Sequence, residues 1–192
     1  MARPQKFDEQ EIISKAMLYF WEHGFSGSSI QQLLGEMGVS RGTLYGSVGD
    51  KDALFKRCLQ RYSEMARQLF TMTLLNAQLP PYQRMLQFLQ LSFLDSETAH
   101  LGCLMVNTLC EDERAVLEVK SLASSVMSDM ENGFLTCFQE MVDQKQSLTL
   151  SPSVAAGIMA TQLKGARVRQ REGVSNQTIL SEFVTLLNQL TQ

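Results

Sequence analysis

The chain has 192 residues, 44% of them hydrophobic and only four of them proline, enough for one compact domain or a small module joined to a larger one. It lacks an apolar run of about eighteen residues, and its start, MARPQKFDEQE, has no apolar core. A membrane span and a secretory signal are therefore not expected, and the expected compartment is the cytoplasm. The four cysteines, Cys58, Cys103, Cys110 and Cys137, form no C-x-x-C pair, which argues against a disulfide framework.

The formal charge of −3 is unevenly spread: residues 1–62 hold eight Lys/Arg against seven Asp/Glu, and residues 63–192 hold nine against thirteen. Any nucleic acid bound by the first third would be held by a few placed cations rather than a broad basic field.

Phe7-Asp8-x-x-Glu11-Ile12 reads as a helix start, with Asp8 as N-cap, Glu11 returning to it, and Phe7 packing on Ile12. Ile13, Ala16, Met17, Phe20 and Trp21 continue an apolar face to about His23, and Gly24 ends the helix. Ser28 or Ser29 caps a second helix, with Gln31 or Gln32 three residues on.

Leu33, Met37, Val39 and Leu44 have the spacing of two short helices crossing over a small core. Gly38 lies between them, where the turn requires a residue tolerant of positive φ. Ser40 caps the following helix over roughly 40–46, which carries Arg41, Gly42, Thr43, Tyr45 and Ser47. Its exposed residues are small, hydroxylated or aromatic, suiting an element laid in a groove.

Asp50 then caps a long helix running to about Asn76, with Leu54, Cys58, Leu59, Tyr62, Met65, Leu69 and Leu74 at helical spacing. Pro81 opens a helix through about Leu94, GCLMVNTLCE is a short apolar helix, and 112–144 is a long one. Its broad apolar face runs from Val116 to Met141. Ser151-Pro152 starts a helix to about Arg171, Gly173 breaks it, and Ser175 caps the last. No stretch alternates as a strand does, so the expected fold is all-α.

Arg41 is the strongest candidate base reader because its planar fork of donors matches base edges. Thr43 and Tyr45 suit phosphates or thymine methyls, and Ser29 and Lys51, near helix starts, suit phosphates. His23 and His100 lie far apart in sequence with no second ligand at coordinating spacing, so no metal site is expected. Neither are catalytic residues or cofactors, since G-x-S-x-G, G-x-x-x-x-G-K-[ST] and H-E-x-x-H are absent. Glu111, Asp112 and Glu113 are adjacent on a helical pattern and are expected to be solvated. Cys103 starts a helix, whereas Cys110 and Cys137 fall on apolar patterns and are expected to be buried.

The run S-I-Q-Q-L-L-G-E-M-G-V-S-R-G-T-L-Y-G-S-V-G-D-K-D-A-L resembles the DNA-binding region of the tetracycline-repressor (TetR) family. Ser29, Leu33, Gly38, Val39, Ser40, Leu44, Tyr45, Lys51 and Leu54 match its pattern. Leu34, Ser47 and Val48 depart from it, standing where a small residue, His or Tyr, and Phe are usual. The resemblance implies double-stranded operator DNA as partner, with Ser29, Gln31, Ser40, Arg41, Gly42, Thr43, Tyr45, Ser47 and Lys51 at the contact.

It also implies a helix-turn-helix domain at 1–48 and an effector-binding and dimerisation domain at 49–192, connected by the helix over 49–76. A small-molecule pocket is then expected around Met65, Leu69, Phe88, Cys103, Met105, Met127 and Met130. The last two helices would pair with a second copy through Ile158, Gln162, Gly165, Ala166, Phe183 and Leu187. Gly102-Cys103-Leu104-x-x-Asn107 resembles a subgroup of electrophile-, acrylate- and copper-responsive repressors, which makes Cys103 an alternative sensor. The expected function is a homodimeric repressor released by an unidentified effector. The competing readings are a thiol sensor, a helical interaction protein without specific DNA binding, and an enzyme built in the apolar cavity.

Overall fold

A computed structural model describes residues 8–94, 97–111 and 117–191. The helices are α1 (Glu9–His23), α2 (Ile30–Met37), α3 (Arg41–Ser47), α4 (Lys51–Met72), α5 (Pro81–Ser92), α6 (Leu104–Cys110), α7 (Leu117–Asp143), α8 (Pro152–Arg171) and α9 (Asn176–Leu190), with a 3₁₀ turn at Ala99–Leu101. The all-α expectation holds: no strand occurs among the described residues.

Local chemistry places the helix ends. Asp8 caps α1 by accepting the Gln10 N–H. Glu11 does not complete the reciprocal cap, because its carboxylate pairs with Lys15 one turn on, at 2.9 Å. Phe7 and residues 112–116, at the start of the expected seventh helix, lie outside the described residues. Of the two serines before α2, Ser29 is the cap; Ser28 is buried and donates to the Gly24 carbonyl at 2.6 Å. α4 ends at Met72, short of the expected Asn76. The Thr73 hydroxyl donates to the Leu69 carbonyl, and the Leu75 N–H turns back to Phe70.

The buried apolar residues form one continuous core with two regions. In the first, α1 packs on α2 and α4 around a triad of aromatic rings: Phe55 lies 4.8 Å from Phe20 and 4.9 Å from Phe25. In the second, α7 packs against α4, α5, α6 and α8. α4 belongs to both, burying Leu54, Phe55 and Cys58 in the first and Phe70 in the second. A continuous hydrogen-bonded helix makes a stiff connection, so a tilt imposed at one end moves the other.

Candidate nucleic-acid interface and effector cavity

α2 and α3 are shaped by reciprocal hydroxyl and amide bonds. Ser29 Oγ accepts the Gln32 N–H at 3.2 Å while Gln32 Oε1 accepts the Ser29 N–H at 3.0 Å, a complete capping box. Gly38 then takes φ 69°, ψ 28°, the left-handed conformation that turns the chain into α3. Ser40 Oγ accepts the Thr43 N–H at 3.1 Å and lies 2.9 Å from Thr43 Oγ1, and Ser47 Oγ donates to the Thr43 carbonyl at 2.8 Å. These hydroxyls first of all define the helices.

Leu44 is fully buried and anchors α3. Ser29, Gln31, Ser40, Arg41, Gly42, Tyr45 and Ser47 are exposed around it, and Thr43 is half-buried. Arg41 and Tyr45, four residues apart, share one side of α3. Gly42 and Gly46 flank them, and a Cβ built on Gly46 would meet nothing within 4 Å. Gly46 was not among the sequence candidates, although its spacing from Gly42 marks a second smooth row where backbone can approach a surface closely.

Lys51 is placed differently from a free phosphate ligand. Its Nζ lies 4.1 Å from the centre of the Phe25 ring. Burial lowers its pKa, against the opposing pull of Asp52 and Glu111. The Asp50 carboxylate also accepts the Ala53 N–H at 2.9 Å, so one donor at the start of α4 is already engaged. Arg57 pairs with Glu9, tying α4 to α1.

The carboxylate of Glu111, at the end of α6, is half-buried rather than solvated. It accepts the Phe25 N–H at 2.9 and 3.0 Å and the Ser26 N–H at 3.4 Å. Gly24, at φ 73°, allows the approach, since a Cβ there would stand 2.8 Å from Glu111 Oε1. Asp112 and Glu113 lie outside the described residues. A second strut runs alongside: Trp21 Nε1 donates to the Leu101 carbonyl at 3.1 Å, and its ring meets Tyr62 edge-on at 5.1 Å.

Glu111→Ala leaves two backbone donors without their acceptor, a cost of about 1–3 kcal/mol. Amide exchange at Phe25 and Ser26 should accelerate on the order of tenfold or more, while the Leu54 amide, bonded to the carbonyl of Asp50, the cap of α4, keeps its protection. Unchanged exchange at Phe25 would mean that the carboxylate does not hold the two parts together.

All seven residues expected at an effector pocket line one cavity of about 230 Å³: Met65, Leu69, Phe88, Cys103, Met105, Met127 and Met130. The family resemblance implies a pocket between α4, α5 and α7; Met105 of α6, Leu163 and Arg167 of α8 and Trp21 of α1 also contribute. Cys103 accepts a hydrogen bond from the Tyr62 hydroxyl at 3.5 Å. Burial raises the Tyr62 pKa, with Cys103 adding to the shift.

The other thiols differ. Burial pushes Cys58 up to about 12 and Cys137 up to about 11, so both stay protonated at neutral pH and are poor nucleophiles. Cys110, expected to be buried, is exposed. It is the last residue of α6 and borders a surface cleft between α8 and the end of α1 with the loop that follows it. His23 stacks on Tyr19 at 4.2 Å, and among the described residues no group of three or more His, Cys, Asp or Glu could hold a metal ion.

The expected dimer residues divide between two faces. On α8, Gln162 and Gly165 are exposed and Ile158 is half-buried, continuing an outer row with Val154 and Val168, 49% and 46% exposed. Ala166, Phe183 and Leu187, expected at the subunit contact, are buried in their own subunit. Phe183 stacks on Phe93 at 5.4 Å, because α9 leans on α5. Ala166 and Phe183 also border a shallow cleft of about 160 Å³ between α8 and α9.

Residues 12–58 match the sequence family described as bacterial regulatory proteins, tetR family. The transcriptional repressor ComR of Escherichia coli is 38% identical over 60 residues, which is 31% of this chain and 29% of ComR. The uncharacterised regulator YezE of Bacillus subtilis is 36% identical over 64 residues, a third (33%) of each chain. The match thus spans about a third of the length of these curated relatives. The repressor DhaR of a Mycobacterium species is 24% identical over 188 residues, covering 93% of this chain and 89% of DhaR.

Among solved structures, a cysteine-substituted CifR, a TetR-family regulator complexed with 26-base-pair operator DNA, superposes with a TM-score of 0.85 at 21% identity, covering 98% of this chain and 100% of CifR. Reduced NemR of Escherichia coli gives 0.80 at 18% identity, covering 95% and 97%. At these identities the structures establish a common fold. Residues 12–58 thus match the tetR family of bacterial regulators, and the chain shares the helical fold of these solved regulators across nearly its whole length.

Proposed function

We propose that the chain acts as a cytoplasmic homodimeric transcriptional repressor that reads a near-palindromic operator and is released by a small molecule. Residues 1–48 form the reading module, residues 49–192 form the effector-binding and dimerisation domain, and the stretch over 49–76 connects them. The single observation that carries the reading is the bridge made by α6. Met105 and, just before the helix, Cys103 line the cavity, while Glu111 at its other end holds the reading head by two backbone N–H groups. A ligand that displaces α6 thereby changes the seating of the head, provided it binds the two arrangements with different free energies.

In this scheme Arg41 reads a base, Gln31, Gly42, Thr43 and Tyr45 line the groove contact, and Ser29, Ser40, Ser47 and Lys51 meet phosphates. The operator-bound CifR offers support by likeness of fold. The outer row of α8, from Val154 through Ile158, Gln162 and Gly165 to Val168, is the proposed subunit contact; a two-fold pair sets two reading heads on successive major grooves.

Fluorescence anisotropy with DNA from the protein's own upstream region tests this. Arg41→Ala should lose about 1–3 kcal/mol of discrimination between that DNA and a scrambled duplex. Lys51→Ala should weaken both duplexes alike and flatten the salt dependence by about one unit of slope. Equal affinity of the wild type for the two duplexes would instead favour an interaction protein.

A second reading, covalent sensing at Cys103, is favoured by the position of that thiol in the cavity wall. N-ethylmaleimide should then abolish DNA binding in wild type and in Cys110→Ser but not in Cys103→Ser. Loss governed by Cys110 would place the effect at the protein surface.

A further inference from the structure

Two polar atoms at the cavity have no partner. Arg167 Nε and Ser92 Oγ are buried and make no hydrogen bond, although both residues border the same space. The Arg167 guanidinium lies 4.6 Å from the centre of the Phe93 ring, next in sequence to Ser92, and its Nη1 donates to Gln170 Oε1 at 2.9 Å. Among the described residues no ion pair to Arg167 occurs and no carboxylate lines the cavity. The wall is otherwise mainly aromatic and thioether: Phe70, Phe88, Met105, Met127 and Met130. Arg167 is half-buried overall, but a buried guanidinium N–H without an acceptor is costly to leave that way, and one acceptor could satisfy it together with the serine hydroxyl.

We infer that the cavity takes a small carboxylate, with an apolar body of about one ring and a single anionic head received by Arg167 and Ser92. The size follows from volume: about 230 Å³ compares with the roughly 150 Å³ of an apolar cavity that holds benzene, leaving room for a short acidic side chain. The charge follows from the lining, where one guanidinium stands without a counter-ion. A cationic ligand would add a second positive charge; a neutral amide would forgo the charge-assisted bond. The inference rests on reading this cavity as the effector site and names the ligand class for it.

Calorimetric titration of the full-length protein with phenylacetate, phenylacetamide and 2-phenylethylamine decides the matter. Phenylacetate should bind roughly tenfold or more tightly than phenylacetamide, the factor a hydrogen bond to a charged group supplies, and the amine should not bind measurably. Arg167→Gln should erase the preference for the acid while binding of the amide stays within about threefold, showing that the cavity persists. Arg167→Lys should keep part of the preference, and Ser92→Ala should reduce it less than Arg167→Gln does. Equal binding of acid and amide by wild type, a preference that survives Arg167→Gln, or binding of none of the three probes overturns the inference.

The titration needs no DNA, so the two readings fail separately. Acid and amide binding alike removes the anionic head and leaves the repressor reading standing. Tight phenylacetate binding with no effect on selective operator binding removes effector release and leaves the ligand class standing.

Discussion

Phe134→Ala is expected to destabilise the protein by about 3–5 kcal/mol, the range for removing a fully buried aromatic ring. Phe134 has no exposed surface, and its ring meets Phe88 nearly edge-on, at 5.5 Å and 79°. Phe88 in turn meets Phe70 at 5.8 Å. This row of three rings joins α7, α5 and α4, the helices that carry most of the cavity wall. Urea unfolding should show a lower midpoint with the slope unchanged, and the melting temperature should fall by about 2–4 °C for each kcal/mol lost. Phe134→Leu, which keeps much of the volume, should cost about 1.5 kcal/mol or less. A loss below about 1 kcal/mol in the alanine variant would mean that the helices close over the gap.

Glu140→Ala should cost about 3 kcal/mol, by a different mechanism. Arg84 is only 2% exposed. It is held by a salt bridge to Glu140 and by donation from Nη1 to the Leu74 carbonyl at 3.3 Å, while Nε has no partner. Removing the carboxylate leaves a buried guanidinium with one backbone acceptor. The figure sits at the low end of the range for broken buried pairs because the Glu140 side chain is 39% exposed, and water takes up part of the loss. The double variant Arg84→Met with Glu140→Leu should recover most of the stability, since a buried pair adds little over apolar residues of similar volume. If the double variant is as unstable as Glu140→Ala, packing rather than charge governs the site.

The features that the sequence determined by itself are those whose partners lie within a turn or two along the chain. Ser40 and Thr43 are three residues apart, so the cap of α3 was legible before any packing was known, and the cap of α2 was narrowed to Ser28 or Ser29. Gly38 was legible because one backbone conformation links those helices, and Pro152 and Ser175 marked helix starts by local chemistry alone. The membership of the cavity wall came instead from the family resemblance, not from the apolar periods of α4 and α7, which mark only inner faces. Residues on the inner faces of helices that must pack together end up around whatever space those helices leave.

Tertiary structure decided the rest, because choosing among chemically similar residues depends on which distant element arrives. Glu111 looked like one of three solvated carboxylates until the loop after α1, 86 residues away, brought it two N–H donors. Arg84, of a type usually exposed, is buried because Glu140 reaches it from 56 residues away. Cys103 and Cys110 belong to one short apolar run, yet one faces the cavity and the other faces solvent. Phe183 and Leu187 have the pattern of a contact face, and the approach of α5 turns that face inward. Helical periodicity says that a face will be covered; only the packing of the whole chain says by what.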